Sequence, residues 1–122
     1  MREKYQKYLK VLKIELEDLE EDLLLMAKIY QQREANNEIT DYVFLENLTL
    51  LQSEISGIEQ ILKSIDTIDV DSFKTLDEMV EHVDVEFREK TEKSNFPEAV
   101  YALVKRKLSK VSAYIHSDDE NS

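Results

Sequence analysis

Apolar positions along the chain recur three and four residues apart, in four separate blocks. In the first, Tyr5, Leu9, Leu12, Leu16, Leu19, Leu23, Met26 and Tyr30 follow one another without a break in that rhythm. Such spacing keeps side chains in one seam of a helix, as in coiled coils and long bundle helices. It predicts a helix over about residues 2–35, roughly 50 Å long at the α-helical rise. Val11, Ile14, Leu24, Leu25 and Ile29 widen the seam, so this helix is expected to touch more than one neighbour.

Polar turn formers at Glu34–Glu38 interrupt the pattern, and Thr40 is placed to cap a second helix over about 41–66. Its seam reads Phe44, Leu48, Leu51, Ile55, Ile58, Leu62 and Ile65. Gly57 lies inside it, where close approach of a neighbouring helix is the expected reason for a residue without a side chain. After an acidic connection, Asp71 or Ser72 is placed to cap a third helix over about 72–92, with core positions Phe73, Leu76, Val80, Val83 and Phe87. Pro97 follows Ser94-Asn95-Phe96 and suits the first turn of a fourth helix over about 97–116, which buries Val100, Val104, Leu108, Val111 and Ile115.

The predicted fold is all-α: one domain, residues 1–116, followed by a disordered acidic tail at 117–122. Short connections favour antiparallel neighbours, hence an up-down-up-down bundle with a long N-terminal helical hairpin. A three-helix core with the fourth helix packed across it is the alternative.

The element lengths carry a further expectation. The third and fourth helices are shorter than the first by about 20 Å, so they leave the far end of the first hairpin uncovered. That end carries Leu25, Met26, Ile29, Tyr30, Tyr42, Val43, Phe44 and Leu45, a composition typical of an interface. Its expected cover is a partner protein or a second copy, with a homodimer through this hairpin the leading arrangement.

Composition narrows the remaining possibilities. The 122 residues suit one domain, and 42 % apolar residues suffice for a core. There is no cysteine, which removes disulfides and thiolate chemistry. No apolar run approaches a membrane span, and the first residues lack the apolar core of a signal peptide, so a cytoplasmic protein is expected. The formal net charge of −11 argues against nucleic-acid or anionic-membrane binding over the surface at large. Two segments run against that total, one with Lys4, Lys7 and Lys10, the other with Lys105, Arg106, Lys107 and Lys110. In the predicted bundle they meet at one end, a candidate contact for an acidic peptide or a nucleic-acid backbone.

Candidate chemistry is sparse. Dimetal carboxylate bundles need Glu-x-x-His pairs, but Met79 and Ala113 stand three residues before His82 and His116. His82 is expected to be a surface histidine, and His116 a partner for the C-terminal helix dipole. Asp69-Val70-Asp71 begins like a calcium loop, yet Lys74 and Val80 occupy the positions of its required glycine and glutamate. A single glycine excludes phosphate-cradling loops. The acidic run from Glu15 to Asp22 shares a helix with the seam and is expected to form a solvated face.

The expected function is therefore a non-enzymatic helical interaction module, such as an adaptor, small chaperone or assembly factor, without a cofactor or metal. The alternative is a nucleic-acid-associated regulator acting through the basic end at residues 2–13 and 105–110. Heptads of this kind recur in unrelated helical proteins and name no family.

Overall fold

The computed structural model describes residues 2–120, and among them the chain is all-helical: α1 (Arg2–Ala35), α2 (Asp41–Ile65), α3 (Leu76–Lys93) and α4 (Glu98–Glu120), with one 3-10 turn at Val70–Ser72. Both hairpin turns close in the same way. Asn37 and Asn95 adopt left-handed backbone angles, φ 58° and 55°, which asparagine tolerates better than most residues. Glu38 N–H then donates to Arg33 O and Phe96 N–H to Thr91 O, satisfying carbonyls at the ends of α1 and α3. Thr40 caps α2 as expected, its hydroxyl accepting from Val43 N–H at 3.2 Å.

The third helix starts later than the predicted residue 72. The Asp69 carboxylate accepts from Asp71 N–H and Ser72 Oγ, which closes the short 3-10 turn instead. Thr75 is the actual cap, accepting from Glu78 N–H at 3.1 Å, while the Glu78 carboxylate reaches back to Lys74 N–H. These reciprocal bonds define the helix start and leave Phe73 outside it. The fourth helix runs to Glu120, past the predicted residue 116 and into the segment expected to be a disordered tail. No glycine or proline stands there to end it, and each added residue brings a hydrogen bond. The last residues of that expected tail, Asn121 and Ser122, lie outside the described residues, as does Met1.

Cross-helix pairs set the directions. Lys13 reaches Asp66 at 3.2 Å, so α2 descends along α1 and ends more than two turns above its start. The connection after α2 continues down that helix, where Arg2 lies 3.6 Å from Asp71. Tyr8 contacts Leu108 and Ser112 while Glu15 contacts Lys107, so α4 is antiparallel to α1. Asp84 holds Tyr101 and Lys105, which pairs α3 with α4.

The core comprises α1 positions from Tyr5 to Leu23, α2 positions from Leu51 to Ile65, and the inner faces of α3 and α4. All five positions expected on α4 are buried. On α3 the inner face centres on Met79, fully buried, rather than on Val80 and Phe73, which are half-buried. Tyr8 and Ile61 are fully buried as well, because α1 and α2 each face α4 in addition to one another.

Candidate functional site

Above the start of α4, the first hairpin continues as two helices without further cover. From residue 24 to residue 50, among the described residues, none is buried. Leu25, Met26, Ile29, Tyr42, Val43 and Leu45 are exposed there, from 38 % at Ile29 to 75 % at Tyr42. Six of the eight predicted interface residues thus lie on open surface. Tyr30 and Phe44 are half-buried, and Tyr30 packs against the edge of the core. Leu24 and Leu50 belong to the same exposed surface. Leu24 was visible as a widening of the seam, whereas Leu50 lies one position off the α2 seam and gave no such signal.

The cause is the stagger of the two hairpins. Gly57 meets Phe96 and Val100 at the beginning of α4, so α4 reaches α2 only from that level downward. The arm above it, residues 24–35 of α1, is about 18 Å long at the helical rise. Exposed apolar surface costs roughly 25 cal/mol per Å² relative to burial, so side chains left open in this way favour being covered.

The basic segments do lie side by side along α1 and α4, but their charges are largely answered within the chain. Lys107 and Lys110 both reach the Glu15 carboxylate, at 2.9 and 3.1 Å. Their hydrogen bonds hold the Glu15 carboxyl below the usual range. Lys105 bonds Asp84 at 2.7 Å. Burial alone would raise the Asp84 carboxyl, but the bonds from Lys105 and Tyr101 outweigh it and the net shift is downward. Lys7 sits 5.5 Å over the Tyr114 ring, and Lys4 is also engaged. Lys10 and Arg106 are exposed. Sequence spacing placed these cations at one end of the molecule; the pairing with Glu15 and Asp84 depends on helix packing.

Among the described residues, no three His, Asp or Glu side chains gather closely enough to hold a metal ion. His82 is exposed, with its ring 5.1 Å from that of Phe73 and Nε2 3.4 Å from Glu86. His116 lies before the last turn of α4 because that helix runs on, so it does not hold the terminal position expected for it. Among the described residues, no helix is long and apolar enough to cross a membrane. No protein family, curated protein or solved structure matches this chain.

Proposed function

We propose that the protein is a non-enzymatic interaction module whose first hairpin end binds another protein. The observation that carries this reading is the unburied stretch from residue 24 to residue 50, where large apolar side chains stand exposed on a two-helix arm. A helical arm with an apolar face presents its anchors already ordered, which limits the entropy lost on binding. The charged remainder of the surface keeps such a molecule soluble.

The test is a photo-cross-linking amino acid at position 42, introduced into the chain in its native cell. A discrete protein adduct, lost when Leu25, Ile29 and Leu45 are changed to Ser, supports the reading. Those three side chains are exposed, so the triple variant should keep its helix content and its stability to within about 0.5 kcal/mol per site. Absence of any adduct at position 42, with an unchanged mass for the triple variant in solution, overturns it.

A further inference from the structure

The uncovered surface is the upper half of a groove whose lower half already holds a helix. On α1, Tyr8 and Glu15 face α4 through Leu108, Ser112, Lys107 and Lys110. Counting upward from Glu15 in steps of four and three reaches Leu19, Asp22, Met26, Ile29 and Arg33, which share that side of the helix. On α2, Gly57 faces α4 through Val100. Steps of three, four, four and three upward reach Glu54, Leu50, Glu46 and Val43. Beyond the first turn of α4, the two stripes continue with Met26 and Ile29 facing across to Leu50 and Val43, and all four are exposed.

Charge indicates what fits. The exposed part of the continued stripes carries Asp22 and Glu46 against Arg33, so the apolar floor has an acidic border. Glu54 is buried at the lower end of the groove, and desolvation raises its carboxyl above the usual range. The molecule itself shows how such a border is answered. The helix in the lower half, α4, is amphipathic, and its Lys107 and Lys110 converge on Glu15, the acid in that part of the α1 stripe. A second copy would bring the same acidic border, and another net charge of −11, against this one.

We propose that the upper groove takes a basic amphipathic helix from a partner protein, seated end to end with α4, its apolar face on Met26, Ile29, Leu50 and Val43 and its lysines or arginines beside Asp22 and Glu46. This rests on the reading of the chain as an interaction module and adds the chemistry of the partner.

The probe is a labelled 18-residue amphipathic peptide of Leu and Lys, compared with a counterpart that has Glu at every Lys position. Binding is followed by fluorescence anisotropy at physiological salt. The expected result is saturable one-to-one binding of the Lys peptide, weakened at least tenfold by I29S with L50S and several-fold by D22N with E46Q. The Glu peptide should not bind. All four substituted positions are exposed, and unchanged circular dichroism verifies that the variants fold. Equal affinity of the Lys peptide for wild type and the I29S/L50S variant overturns the proposal, because attraction then lies elsewhere on the acidic surface. Equal binding of both peptides, binding of neither, or a dimer abolished by I29S/L50S also overturns it. The position 42 cross-link separates the two ideas: if a protein adduct persists while the Lys peptide fails, the partner chemistry is wrong and the module reading stands.

Discussion

Gly57 on α2 and Val100 on α4 fit together because one of them has no side chain. A Cβ at Gly57 would stand 3.0 Å from both Val100 methyl carbons and 3.3 Å from the Phe96 ring. Val100 is fully buried, so its methyls have little room to retreat. Gly57→Ala would gain about 1 kcal/mol of helix propensity, but overpacking a close helix contact costs about 1–3 kcal/mol. The expected net is destabilisation of about 1 kcal/mol at this contact. Combining it with Val100→Ala should cost less than the sum of the single changes. A double-mutant cycle by urea unfolding measures the coupling, and strict additivity would place the steric conflict elsewhere.

Two tyrosines one turn apart on α1 should respond in opposite directions to loss of the hydroxyl. Tyr8 donates to Leu108 O at 3.2 Å and pairs with Ser112 Oγ at 3.0 Å. Burial pushes its phenol up, so it stays protonated and able to donate. Tyr5 is equally inaccessible, and among the described residues its hydroxyl has no hydrogen-bond partner. Tyr8→Phe should cost about 1 kcal/mol, whereas Tyr5→Phe should be neutral or stabilise by about that amount. Denaturant midpoints of the two variants, side by side, provide the comparison.

The Glu15 contact predicts an acid-dependent loss of stability. Hydrogen bonds from Lys107 and Lys110 lower its carboxyl, so the unfolded chain holds this proton more tightly than the folded one. The contribution is complete above the unfolded value, about 4.3, and disappears as pH falls through the lower native value. Glu15→Gln should therefore cost roughly 0.5–1 kcal/mol at pH 7. The gap should close in strong acid. Unfolding at a series of pH values follows it, and a gap independent of pH would argue for lost packing instead.

Glu20 behaves in the reverse sense. Burial, then the hydrogen bond to Glu59 and its charge, raise the Glu20 carboxyl. Stability from this site is complete below the unfolded value and lost as pH rises through the raised native one. Glu59→Gln removes one like charge and supplies an amide donor to Glu20. It should stabilise the protein by a few tenths of a kcal/mol at pH 7, with the difference vanishing below the unfolded carboxyl range. Thermal melts at neutral and acidic pH check the sign.

Sequence alone determined that this chain is all-helical, where each hairpin turns, and that the first hairpin is longer than the second. Heptad spacing and helix length depend on local geometry, and local geometry is written residue by residue. The exposure of Leu25, Met26 and Ile29 was legible for that reason, as was the close approach at Gly57. The start of α3 was not read correctly: Asp71 and Ser72 are good capping residues, but Thr75 caps the helix. Local hydrogen bonds decide the difference, because the Asp69 carboxylate holds Asp71 N–H and Ser72 Oγ in a 3-10 turn. Packing decided which side chains meet across helices: Tyr8 with Ser112, Glu15 with Lys107 and Lys110, Asp84 with Lys105. Those contacts join residues far apart in the chain, where no periodicity relates them. They depend on the stagger and rotation of the second hairpin against the first, and the same stagger leaves half of the α1–α2 groove without a helix.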